Sequence, residues 1–206
     1  MKRINLPENL NHALQIMDEE DGGIVIDSLI HNGLELEIFF RIVYFHSELP
    51  TQLWKVSIPE IKKEHFLNRN VSESTFAIYS EHPLLIELKD GWVELYYKGK
   101  TANAEKLFID LYKLFERSYW KSLGFGFKIN APEGMLNLCA YEAGLFARGP
   151  KSILFEYAAC LNENNIQTSL IGEYEAWNDD LKVLVIGESY FISEEFKFEF
   201  IESIDS

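Results

Sequence analysis

Cysteine is nearly absent: the 206-residue chain has two, Cys139 and Cys160, neither in a CxxC pair nor beside a histidine. That excludes a disulfide-stapled scaffold and a cysteine-based zinc site; both read as reduced thiols buried as small hydrophobes. Long apolar runs are missing as well. No window approaches the roughly 18–20 continuous apolar residues of a membrane span. The opening MKRINLPENLNH has no apolar stretch behind its cations, as a secretory signal requires. The expectation is a cytoplasmic protein with no membrane partner. Repeats, low-complexity tracts and Gly/Ser/Pro linkers are absent too, which favours a single α+β domain over 1–206.

Catalytic and cofactor signatures are equally scarce. There is no GxxxxGK[ST] phosphate loop and no GxSxG nucleophile elbow. The five histidines, His12, His31, His46, His65 and His82, stand singly. None has the i, i+3 or i, i+4 spacing that brings two imidazoles to one metal. His46 and His82 fall near expected strand ends, where Glu81-His82-Pro83 can bring an imidazole to a cleft; the favoured reading is that all five are surface or satisfied histidines. Gly124-x-Gly126 would need a third glycine where Ile129 stands, and it follows a helical pattern rather than a strand, which excludes a dinucleotide loop. No cofactor or metal is expected, and the chain reads more as a binder than as an enzyme.

Positive charge is the third shortage. Nineteen Lys/Arg face 33 Asp/Glu, a net charge of −14. The deficit is uneven: −6 over 1–100, +2 over 101–151, and −10 over 152–206, where only Lys182 and Lys197 offset 12 acids. Such a field repels nucleic acid and anionic lipid and attracts basic proteins or cations.

What the chain does have is hydrophobic residues, 47% of the total, with 15 Phe, ten Tyr and four Trp, enough to fill a large core. Leu10, Ala13, Leu14 and Met17 share one face of a helix that has Pro7 in its first turn and is ended by Asp18–Asp21 and Gly22-Gly23. Strands at 24–31 and 34–45 flank Asn32-Gly33, a strong hairpin signal. Further strands are expected at 53–58, 75–80, 84–89 and 92–98, the last two joined through Asp90-Gly91, with a short helix over 60–67. At 103–120 the period changes to 3.6, with Leu107, Phe108, Leu111, Leu114, Phe115 and Ser118/Tyr119 inside, Lys106, Asp110, Lys113 and Arg117 outside, and Thr101 or Asn103 as cap. Helices over 133–146 and 150–163 follow. Strands return in TSLIGEY, LKVLVIG and the alternation of Phe196, Phe198 and Phe200.

The expected fold is therefore α+β. An antiparallel sheet of about six strands occupies the N-terminal half, three helices pack on it, and C-terminal strands rejoin it or form a small second sheet. Its sub-regions are 1–100, mainly β; 101–165, helical; and 166–206, acidic β.

Two stretches carry candidate chemistry. In LFARGPKSILF (145–155), Arg148, Gly149, Lys151 and Ser152 stand where a helix begins, so they can bind an anion. The competing reading is a helix–helix corner. Gly149 then ends one helix in the left-handed region, Pro150 opens the next, and Arg148 pairs with an acid such as Glu142 or Glu156. In GEYEAWNDD (172–180), Glu173, Glu175, Asp179 and Asp180 surround Tyr174 and Trp177. No EF-hand spacing is present, and aromatics amid acids suit a patch that docks a basic protein. Trp54, Trp92, Tyr96 and Tyr97 form either a stacking platform or core pairs.

The reading that follows is a cytosolic protein-binding module, an immunity-like neutralising protein or an adaptor, that docks a basic partner through its acidic C-terminal surface. The alternative is a small enzyme or sensor that takes an anionic or phosphorylated small molecule at 145–152. A homo-oligomer is compatible with the composition; nucleic acid is not an expected partner.

Overall fold

The computed structural model describes residues 1–19, 22–45, 48–66, 70–71, 75–119, 141–174 and 180–204. In chain order the first elements are β1 (Lys2–Ile4), α1 (Glu8–Glu19), β2 (Gly23–Asn32), β3 (Glu35–Val43), β4 (Thr51–Ile58), β5 (Lys63–His65), β6 (Asn70–Val71) and β7 (Phe76–Glu81). A 3₁₀ turn (Pro83–Leu85), α2 (Ile86–Lys89), β8 (Trp92–Lys98), α3 (Ala104–Tyr119), β9 (Ala143–Pro150) and α4 (Lys151–Glu163) follow. β10 (Gln167–Tyr174), β11 (Lys182–Ile186), β12 (Ser189–Ser193) and β13 (Lys197–Ile204) end the series.

The chain forms two compact units. Unit 1 is Met1–His82 with Asp180–Ser206; unit 2 is the continuous stretch Pro83–Asp179 between them. Unit 1 holds two antiparallel sheets, in the orders β1-β7-β11-β12-β5 and β13-β4-β3-β2-β6. The β2–β3 hairpin turns at Gly33, whose φ of +69° lies in the left-handed region that favours glycine. Along β3, Leu36, Ile38, Phe40 and Ile42 are buried and the residues between them are not, the period of two expected for a sheet with one covered face.

Those side chains join Leu10, Ala13, Leu14 and Met17 of α1, and Phe76, Ile78, Leu184 and Phe191 of the other sheet, in one core. The rings of Phe40 and Phe76 stand 5.1 Å apart. Each such buried side chain stabilises the fold by about 1.5–3 kcal/mol. The Gly22 N–H donates to Met17 O at 2.7 Å where α1 ends. A Cβ on Gly22 would stand 2.3 Å from Val43 O, so the close approach of α1 to β3 requires glycine there.

In unit 2, β8 lies at the centre of a three-stranded antiparallel sheet, β10-β8-β9. Val93, Leu95 and Tyr97 point from one face of β8 into a second core. They meet Leu107 and Leu111 of α3, and Ile153, Leu154, Tyr157 and Leu161 of α4. Asn103 caps α3: its Oδ1 accepts the Lys106 N–H at 2.9 Å.

The α+β class and the antiparallel pairing agree with the sequence; the arrangement does not. Three sheets replace the six-stranded N-terminal sheet, and their strands come from the whole chain. Residues 84–89 form a 3₁₀ turn and α2, so Asp90-Gly91 is no hairpin turn. The expected helix over 60–67 contains strand β5. Of the expected helix over 133–146, residues 133–140 lie outside the described residues; 143–146 belong to β9. Among the described residues, no helix is long and apolar enough to cross a membrane.

Candidate functional site

The junction at 145–152 joins a strand to a helix and is not a helix–helix corner. β9 pairs with β8 from Ala143 to Pro150. Gly149 is absent from the residues with positive φ, and it lies in the ladder opposite Val93. α4 then starts at Lys151. Its first free backbone donors are taken from within the unit: Lys151 N–H donates to Gly91 O at 2.7 Å, and Ser152 N–H to Asp90 Oδ2 at 2.6 Å. Asp90 thus supplies negative charge to the positive end of the helix.

Arg148 faces Glu94, directly opposite in the ladder, with Nε 2.7 Å from Oε1; neither Glu142 nor Glu156 is its partner there. The other Glu94 oxygen accepts from Tyr96 OH at 2.7 Å. An incoming anion would therefore compete with Asp90 for the helix donors and with Glu94 for Arg148. Of the supposed aromatic platform, Tyr97 is in the core of unit 2 and Trp54 in that of unit 1, whereas Trp92 and Tyr96 are half-buried on the face of β8 opposite Tyr97.

Between α3 and α4 lies a depression of about 620 Å³ lined by Asp110, Lys113, Leu114, Glu156, Ala159, Cys160 and Glu163. Lys106 Nζ is 2.6 Å from Asp110 Oδ2, and that hydrogen bond holds the Asp110 carboxyl below its ordinary pKa. Burial, then the charges of Asp110 and Glu163, push the Cys160 thiol up to about 11. Such a thiol is neutral at physiological pH and is no nucleophile. Among the described residues no group of three or more His, Cys, Asp or Glu is arranged to hold a metal ion. The imidazole of His82 is half-buried, its ring 5.1 Å from that of Tyr79. Burial, and secondarily the N-terminal amine, lower its pKa.

Of the acidic aromatic stretch, Glu175, Trp177 and Asp179 lie outside the described residues. Glu173 and Tyr174 end β10, with the Tyr174 backbone paired to Trp92 beyond an irregularity at Gly172. Asp180 is exposed and begins the return to unit 1. The six residues named from sequence therefore span the point at which the chain passes from one unit to the other.

The acidic excess is concentrated in one of the two units. Unit 1 contains nine Lys/Arg against 20 Asp/Glu, a net −11; unit 2 contains ten against 13, a net −3. Unit 1 ends in β13, an edge strand whose outward side faces no other described strand. Along it, Phe200, Ile201 and Ile204 are 43%, 39% and 38% exposed. Glu199 Oε2 lies 2.8 Å from Lys55 Nζ, and Lys55 reaches Glu37 at 3.5 Å on its other side. Sequence reasoning recognised this strand by its alternating phenylalanines but not its edge position. Position depends on pairing with β4, some 140 residues earlier. No protein-family model, curated protein or solved structure matches the chain.

Proposed function

We propose that the protein is a binding module, an adaptor or a neutralising protein of the immunity type, that docks a basic protein partner through acidic surface. The observation that carries this reading is the concentration of −11 of the net −14 in unit 1, with Glu173, Glu175, Asp179 and Asp180 where the chain returns to it. Acids steer encounter with a basic surface, and the aromatics Tyr174 and Trp177 supply contact area. Glu94 already pairs with Arg148 and Asp90 already takes the Ser152 N–H at 145–152, so an anionic-ligand site has no comparable support.

The test is titration with small basic proteins across a salt series. Reversal of Glu173, Glu175, Asp179 and Asp180 to lysine is compared with reversal of four exposed acids elsewhere, which produces the same net charge. The expected result is an affinity that falls with salt and is lost with the first set but not with the second. Equal effects of the two sets, or no binding at low ionic strength, would overturn the reading.

A further inference from the structure

We infer that the free edge of β13 accepts an extended segment of the partner as an added antiparallel strand, and that this segment alternates basic and apolar residues. The inference rests on the basic-partner reading above and adds a second contact surface for the same partner. Long unpaired strands expose rows of N–H and C=O groups, which folded proteins ordinarily blunt by making edges short. Unit 1 follows that rule at β1 and β5, edge strands of three residues each. β13 has eight. Main-chain pairing of this kind supplies affinity, and the side chains on either face of the strand set specificity.

The side chains name the occupant. On β13, Phe198 and Phe200 lie opposite Val56 and Trp54 on the core face, Phe200 edge-on to Trp54 at 5.3 Å between centroids. Glu199 lies opposite Lys55 on the outer face, and the register then slips at Ile201, so that Glu202 stands opposite Leu53. Leu53 and Lys55 are two apart on β4 and share a face. The bulge therefore puts Glu199 and Glu202 on one face, where strict alternation would put them on opposite faces. Across that face Glu37, Lys55 and Glu199 alternate in sign and end on an acid at the edge. Among the described residues Glu202 has no ion-pair partner. An added strand with Lys or Arg opposite these acids continues the row. A second copy of the chain fits less well: centred antiparallel self-pairing sets Glu199 against Glu202, and any register joins two bodies of −11.

The experiment uses the full chain and an eight-residue peptide alternating Lys and Val, with a Glu–Val peptide and a Lys–Val peptide interrupted by proline as controls. Binding is followed by titration and by amide hydrogen exchange. The expected result is that only the uninterrupted Lys–Val peptide binds, that it slows exchange of β13 amides about tenfold or more, and that Glu202→Lys weakens it about tenfold. Glu199→Gln, a milder change at the Lys55 contact, weakens it in the same direction. Binding without β13 protection would overturn the edge proposal and leave the basic-partner reading standing. Failure of every basic probe, the small basic proteins included, would overturn both. Equal binding of the Glu–Val peptide, or β13 protection that grows with protein concentration alone, would overturn it in favour of unselective pairing or of a second copy.

Discussion

The Ser152 N–H donates to the Asp90 carboxylate across 2.6 Å, so the first turn of α4 is closed by a residue 62 positions earlier. The contact ties β9 and α4 to the end of α2, and it does so at the helix terminus where a carboxylate is most favourable. Asp90→Ala is expected to destabilise unit 2 by about 1 kcal/mol, with Asp90→Asn costing less. Urea unfolding followed by far-UV circular dichroism measures both. Equal stability of Asp90→Ala and wild type would show that solvent satisfies the donor as well.

Gly22 and Gly33 are glycines for different reasons, and the variants separate them. Gly22→Ala pushes a methyl group into Val43 O and is expected to cost about 1–3 kcal/mol. At Gly33 there is open space but a φ of +69°; Gly33→Ala costs about 1 kcal/mol and Gly33→Asn less, because asparagine tolerates the left-handed region. Thermal melts of the three variants give the ranking.

The ranking also marks what was legible. Asn32-Gly33 announces its hairpin locally, and the faces of α1 and α3 are written at helical spacing, so those elements read correctly except at Phe108, which is exposed on α3 and not inside. Residues 84–89 and 143–150 did not. Both are short apolar runs in which a period of two and one of 3.6 can each be traced. Pro83 and Gly144 are the local signals against a strand at 84–89 and a helix at 143–146: Pro83 opens a helical turn, and Gly144 lies under the Tyr97 ring in the β8–β9 ladder. The Asp90–Ser152 and Glu94–Arg148 contacts follow from that ladder and from nothing local, so a reading that made 143–146 helical had no route to them.

Cys160 should resist alkylation. With its thiol raised to about 11 by burial and by Asp110 and Glu163, little thiolate exists near pH 8. Iodoacetamide is expected to modify it in urea and far more slowly in the native protein, as intact and peptide mass spectrometry would resolve. Rapid native modification at that position would contradict the packing of α4 against α3.

The Lys106–Asp110 pair gives an acid-side signature. A carboxylate with a lowered folded pKa contributes stability that is complete above its unfolded value of about 3.9 and is lost as pH falls through the folded value. The stability difference between wild type and Asp110→Asn is therefore expected to be flat across neutral pH and to shrink as pH falls below the unfolded value of about 3.9. Urea midpoints across pH measure it. A difference that persists in strong acid would assign the effect to packing.

Arg148→Ala is expected to change stability by no more than about 1 kcal/mol, since the Arg148 side chain is 61% exposed even while it contacts Glu94. A double-mutant cycle with Glu94→Ala at two salt concentrations isolates the pair. Coupling that survives high salt would mean that Tyr96 and Glu94 hold the arginine more firmly than solvent allows.

The insertion of unit 2 into unit 1 has a biosynthetic consequence. A ribosome delivers the chain from its N-terminus, and β7 and β4 wait for β11 and β13 while the 97 residues of unit 2 emerge between them. Unit 2 is contiguous, so all of its strands and helices are synthesised before the last strands of unit 1. Unit 1 closes only when the last strands arrive. Until then two hydrophobic borders stand open, so a nascent chain stalled near residue 180 is the species that most needs a chaperone.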